Sequence, residues 1–303
     1  MLSIQPTGQI LGAAIRGVDL KQDLSRDDFA TVLRALGEYG VLRFPGQWLE
    51  APELKRFSAR FGEIQMLKGV KHHEPGMPEV TILSNVKVNG ELIGAPDAGQ
   101  SWHTDMTYSR TKGFVNVLSA FKVPLCDGKP VGSTEFTNTQ AAAADLPPEV
   151  IERLTGLTAT HDIEMFWEYM RREKGSKRPP MTPEMRAQRP PVHHPVLMRH
   201  PITGRNVIYV NPGFTTHIDG LPATESAELL KFLLDHVFQP KYRYVHEWVE
   251  GDLLLWDNLG SWHFARPDYG PEEYRLMKRC QVMADKIFDP GFVRDALGMA
   301  RAA

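Results

Sequence analysis

The stretch DLLLWDNLGSWHFARPDYGPEEYRLMKRCQVM, residues 252–283, holds two β patterns separated by a turn-rich linker. DLLLWD is an apolar run of strand length, and RLMKRCQVM alternates at the two-residue period of a strand. Side chains two apart on a strand share a face, so Arg275, Met277 and Arg279 are expected on one wall. Between the two patterns stands His263. Far upstream, SWHTDMTY at 101–108 places His103 two residues before Asp105. In an extended segment those two side chains point into one cavity. Two imidazoles and one carboxylate form a ligand set that grips one face of an octahedral metal and leaves the opposite face open, a catalytic arrangement. Two inward arginines would be costly to bury without counter-ions, so they predict anionic ligands.

Outward from this stretch the β signal continues. VLRF at 41–44, EVTILSN at 79–85, GFVNVLSAF at 113–121, NVIYVN at 206–211 and YRYVHEW at 242–248 all read as strands. Helical spacing marks residues 25–38, capped by Ser25, and a second segment in which Pro52 sits in the first turn ahead of Leu54, Phe57 and Phe61. Two more helices are expected at 148–154 and at 224–238, the latter carrying Leu229, Leu230, Leu233 and Leu234. The expected fold is mainly β with flanking helices around a double-stranded β-helix, or jelly-roll, core. One domain is expected over 1–303, interrupted at about 162–195 by an insertion rich in proline and basic residues, either an active-site lid or a solvated loop.

Composition narrows the function classes. With 303 residues and 42% hydrophobic content the chain can bury a sizeable core. Its 35 basic and 37 acidic residues leave no excess for phosphate neutralisation, so a nucleic-acid partner is not expected and a small-molecule substrate is. Cys126 and Cys280 form neither a disulfide framework nor a C-x-x-C motif, which suits a reducing cytoplasm. No apolar stretch approaches the roughly 20 residues of a membrane span. Self-association into a homo-oligomer is compatible with the sequence, which does not specify it.

Taken in order, WHTD at 102–105, VGSTEF at 131–136, WDN at 256–258, His263, PDY at 267–269, and Arg275 with Arg279 resemble the taurine dioxygenase and herbicide (aryloxyalkanoate) dioxygenase family. The likeness spans most of the chain. It implies an Fe(II)- and 2-oxoglutarate-dependent oxygenase that uses O2, hydroxylates a small anionic substrate (a sulfonate, alkyl sulfate or carboxylic or aryloxyalkanoic acid), and releases succinate and CO2. By the same resemblance His103, Asp105 and His263 are the catalytic iron ligands. Arg275 then binds the distal carboxylate of 2-oxoglutarate with a hydrogen bond from Thr134, and Arg279 meets the anionic group of the prime substrate. Leu67, Val70, Met106 and Tyr108 are candidate pocket residues. Taurine enzymes carry a histidine and a tyrosine where alignment on Phe61–Glu63 puts Leu67 and Val70, and their asparagine upstream of W-H-T-D is replaced near Gly99. These departures point away from taurine and toward a less polar acid. Two other classes fit the same ligands: a zinc hydrolase, which would leave Arg275 and Thr134 idle, and a metal-free binding barrel.

Overall fold

The computed structural model describes residues 1–66, 72–176 and 178–299. Its largest element is an eight-stranded sheet in the order Ser3–Pro6, Ala13–Arg16, Val41–Phe44, Leu253–Asp257, Gly113–Lys122, Leu276–Met283, Met77–Ser84, His73–Glu74. All its pairings are antiparallel except that of Ala13–Arg16 with Val41–Phe44. A three-stranded sheet, Arg243–His246, Thr134–Asn138 and Ser261–Ala265, forms a second antiparallel layer. The chain is thus mainly strands with flanking helices.

The central strand Gly113–Lys122 is buried along nearly its whole length because both faces are covered. Val115 and Val117 pack with Phe29, Leu33, Leu54 and Phe57 of the outer helices. Leu118 and Ala120 pack instead with Phe136 and Tyr244 of the smaller sheet and with Trp248 just past its edge strand. An inter-sheet core of this kind holds the layers in register, each fully buried Phe, Leu or Val contributing roughly 1.5–3 kcal/mol. Helix Arg26–Tyr39 starts where expected, with Ser25 Oγ accepting from the Asp28 amide at 3.0 Å. Helix Ala51–Ser58 begins in a Glu50–Glu53 capping box but stops before Phe61. Helices Pro148–Leu154 and Ala223–Val237 lie where their leucine spacing placed them.

Several elements depart from the sequence reading. NVIYVN pairs only over Asn206–Ile208, because its partner Leu197–Arg199 is short and Asn211 turns the chain, its Oδ1 accepting from the amides of Gly213 and Phe214. The stretch at 162–195 is not an irregular connection. It holds helix Ile163–Arg172, capped by Asp162, helix Pro183–Gln188, capped by Thr182, and strand Val192–Pro195. Proline there reads as a breaker, yet Pro183 occupies a first helical turn, where its missing amide hydrogen costs nothing. Among the described residues no helix is long and apolar enough to cross a membrane.

Candidate metal centre and substrate cavity

His263 sits in the middle of strand Ser261–Ala265, opposite Phe136 in the smaller sheet. Two backbone hydrogen bonds join it to His103: His103 N donates to His263 O at 3.2 Å, and His263 N donates to His103 O at 2.8 Å. This isolated antiparallel bridge brings the two imidazoles to a centroid separation of 4.3 Å. The expectation that His103 and Asp105 share an extended strand is corrected here. The chain leaves the bridge after His103 and turns through Asp105, Met106 taking φ +63°. Thr104 anchors that turn by donating to the Asn258 carbonyl at 2.5 Å. The turn, rather than strand alternation, aims the carboxylate.

Ligand atoms of His103, Asp105 and His263 all lie within 4.8 Å of one another, close enough to share one ion. His103 Nε2 is 3.4 Å from Asp105 Oδ1, and His263 Nε2 is 3.6 Å from Asp105 Oδ2. His103 Nδ1 lies 2.7 Å from the Ser101 carbonyl, an acceptor that fixes the proton on Nδ1 and leaves the Nε2 lone pair for a metal. Burial, reinforced by the neighbouring His103, holds the His263 imidazole down at about 3, in the neutral form that coordinates. Although burial alone would push the Asp105 carboxyl up, the His103 contact and the Arg279 guanidinium beside it hold it well below the usual carboxylate range. The donor set is therefore two imidazoles and one carboxylate. It fits a divalent iron.

Gly213 backs this centre. A Cβ at that position would stand 2.8 Å from His103 Cβ, so only glycine allows the approach. Asn116, which sequence reasoning passed over, is fully buried and donates from Nδ2 to Asp105 Oδ2 at 2.7 Å. Its signal was a single amide in the apolar run GFVNVLSAF. Arg279 extends from Leu276–Met283 on the same side, its Nη1 3.6 Å from Asp105 Oδ2.

Arg275 does not lie on the strand as expected. It directly precedes Leu276, where the strand begins, and the register skip at this end falls in the partner strand, which passes over Phe121. Two other contacts set its backbone: the Arg275 amide donates to Asn85 Oδ1 at 2.8 Å, and Ser84 Oγ donates to its carbonyl at 2.6 Å. The residue is only 5% exposed, and its Nε has no partner. Burial pulls its pKa down, and the Tyr269 hydroxyl beside it opposes this. Among the described residues no carboxylate pairs with this buried guanidinium. Tyr269 also packs against Gly132, two residues before Thr134. Thr134 is buried, and its Oγ1 accepts from Trp248 Nε1 at 3.0 Å. That acceptance leaves the Thr134 hydroxyl proton free to donate.

A cavity of about 1230 Å³ opens against the turn that follows Asp105. Met106 and Tyr108 line it, together with Ile163, Phe166 and Trp167 from the 162–195 segment. Tyr108 leans on Phe214, with ring centroids 4.7 Å apart, and burial pushes its hydroxyl up to about 12, so it stays protonated. Leu67 and Val70 lie outside the described residues.

A family model described as "Taurine catabolism dioxygenase TauD, TfdA family" matches residues 3–281. Pentalenolactone F synthase of Streptomyces arenae is 34% identical over 295 residues, covering 93% of this chain and 94% of that protein. The alpha-ketoglutarate-dependent 2,4-dichlorophenoxyacetate dioxygenase of Cupriavidus pinatubonensis is 29% identical over 93% of this chain and 98% of its own length. A crystal structure of a taurine dioxygenase from Burkholderia xenovorans superposes with a TM-score of 0.74 at 28% identity, covering 94% of this chain and 91% of that one.

Proposed function

We propose, from the premise that this chain belongs to the taurine catabolism dioxygenase TauD, TfdA family and is an oxidoreductase of the 2-oxoglutarate-dependent type, that it hydroxylates an anionic organic substrate. Membership leaves no room for the zinc-hydrolase and binding-module alternatives. The cofactors of the reaction type are Fe(II), 2-oxoglutarate and O2. His103 Nε2, His263 Nε2 and the Asp105 carboxylate would hold the iron. Bound there, it supplies oxygen activation coupled to decarboxylation of 2-oxoglutarate to succinate and CO2.

This chain's residues supply placement and exclusion of water. Asn116 and Arg279 hold Asp105 ionised and oriented, so that it never competes as a proton donor. Arg275 takes the distal carboxylate of 2-oxoglutarate in a bidentate pair, the Thr134 hydroxyl donating to the same group. Arg279, on the same side as Asp105, meets an anionic group of the substrate near the metal. Met106 and Tyr108 form the apolar wall against which the reacting carbon is pressed, and the 162–195 segment serves as a lid over it. Candidate substrates are sulfonates, alkyl sulfates and carboxylic or aryloxyalkanoic acids, in line with the relative named for 2,4-dichlorophenoxyacetate. The two sheets, with the metal centre between them, are read as the halves of a double-stranded β-helix over one domain.

The observation that carries this reading is a three-atom ligand cluster beside a buried guanidinium without a carboxylate partner. Arg275→Ala tests it. The variant should raise the 2-oxoglutarate concentration needed for half-maximal succinate release by about 100-fold or more, the cost of losing a bidentate charged pair, while iron affinity measured by equilibrium dialysis stays within about twofold. Equal 2-oxoglutarate dependence in variant and parent would remove Arg275 from the role.

A further inference from the structure

The arginines of the 162–195 segment fall into two groups. Arg171 and Arg172 pair with Glu168, and Arg186 pairs with Glu164. Arg178 and Arg189 line the cavity instead, and among the described residues neither has a carboxylate partner. Arg178 Nε donates to Ser176 Oγ at 2.9 Å, and its guanidinium lies 4.9 Å from the Trp167 ring centroid. Stacking on an aromatic face holds a guanidinium in place while leaving N–H groups at its edge free for an oxyanion. Arg110 joins them on the wall, and no described lining residue is acidic. Unopposed positive charge around a low-dielectric cavity draws in anions and raises their local concentration.

Arg279 stands outside this lining, beside Asp105, the residue that precedes the cavity-lining Met106. Beside the polar Gln65, Ser109 and Gln188, the lining has an apolar part made by Met106, Ile163 and Phe166 with the Tyr108 ring, whose hydroxyl feels Asp105 and Arg279 as well as Arg189. Cation, apolar span, cation is the complement of a molecule that is anion, hydrocarbon, anion. The volume of about 1230 Å³ also exceeds the roughly 300–1,000 Å³ of ordinary small-molecule pockets, so a two-carbon sulfonate would leave most of it to water.

We propose that Arg178 and Arg189 form a second anion-binding position in the cavity lining, and that the prime substrate is an elongated, apolar-bodied organic dianion. One anionic group lies at Arg279 and the other between Arg178 and Arg189. This rests on the oxygenase reading above and names the substrate class for that site.

Decanedioate and decanoate serve as probes, differing only in the far carboxylate. Each is titrated calorimetrically into the iron- and 2-oxoglutarate-loaded protein without oxygen. The dianion should bind about tenfold more tightly than the monoanion at low salt, the effect expected of partly exposed charge pairs, and the preference should shrink as salt rises. In the double variant Arg178→Gln, Arg189→Gln the two probes should bind alike, whereas in Arg279→Gln both should weaken together. Equal affinity in the parent, a preference that survives in the double variant, or failure of both probes to bind would each overturn the proposal. The parent's iron- and 2-oxoglutarate-dependent succinate release, measured with neither acid present, reports separately on the reaction class. Should that release occur while the preference is absent, the second anion position fails and the oxygenase reading stands.

Discussion

The metal end and the cavity end of this molecule are built by different means. At the metal end, backbone hydrogen bonds do the positioning: His103 and His263 exchange amide and carbonyl bonds, and Thr104 ties the Asp105 turn to the carbonyl of Asn258. At the cavity end, side chains do it. Arg186 reaches Glu164 across two short helices at 2.5 Å, and Trp167 Nε1 donates to the Pro179 carbonyl at 2.7 Å. Backbone ladders between buried strands tolerate little displacement, whereas exposed ion pairs on short helices are worth fractions of a kcal/mol and open readily. The difference places rigidity where metal geometry must be held and adaptability where substrates differ.

Gly213→Ala should break the rigid half with the largest effect. The new methyl would stand 2.8 Å from His103 Cβ, and both sit on backbone that neighbouring hydrogen bonds hold. Overpacking of this kind costs about 1–3 kcal/mol of stability, and a displaced ligand costs about 10–100-fold in metal affinity. Iron affinity by competition dialysis and a thermal melt measure both. Unchanged iron affinity would mean that the metal end is as adaptable as the cavity end.

A pH experiment sharpens the contrast next. Beneath the cavity segment, burial lowers His161 to about 3 and His194 to about 4, away from the metal ligands. His161 Nδ1 lies 3.2 Å from Thr215 Oγ1, and His194 Nε2 lies 3.0 Å from the Ser109 carbonyl. Both folded values lie below the unfolded 6.5, so the unfolded chain binds protons first as pH falls. Their contribution is complete above pH 6.5 and is lost as pH drops toward 4 and 3. At pH 5 the loss is on the order of 1–2 kcal/mol apiece. Denaturant unfolding between pH 8 and 5, in the metal-free parent and in His161→Gln, measures it: the variant should lose less stability across that window. Equal slopes would remove His161 from the account.

The two ends also differ in how readily the sequence discloses them. The ligands were legible because chemistry limits them to a few residue types at fixed order, and strands such as Val41–Phe44 and Gly113–Lys122 because their apolar runs have strand length. The Asp105 turn was not, since a positive φ at Met106 carries no residue signature when glycine is absent. Asn116 was missed because a buried amide in an apolar strand gains its meaning only from Asp105, distant in the chain until the fold brings it within 2.7 Å. The helices of 162–195 hid behind prolines, although Ile163, Phe166, Trp167 and Met170 already repeat at helical intervals.

The smallest expected effect lies in that segment and bears directly on the comparison. Arg186→Gln removes the pairing with Glu164, a contact between side chains that are 47% and 28% exposed. An exposed pair of this type contributes about 0–1 kcal/mol, so the melting temperature should hardly move and iron affinity should be unchanged. What should change is the coupling of helix Pro183–Gln188 to helix Ile163–Arg172: limited proteolysis should cut within 173–182 faster in the variant, because the contact that ties the two helices across that connection is gone. Cleavage at the parent's rate would mean that packing of Met185 with Ile163 and Phe214, rather than the ion pair, closes this side of the cavity. The cavity end would then owe its form to the same apolar burial that builds the inter-sheet core, and the contrast with the metal end would narrow to the hydrogen-bonded bridge alone.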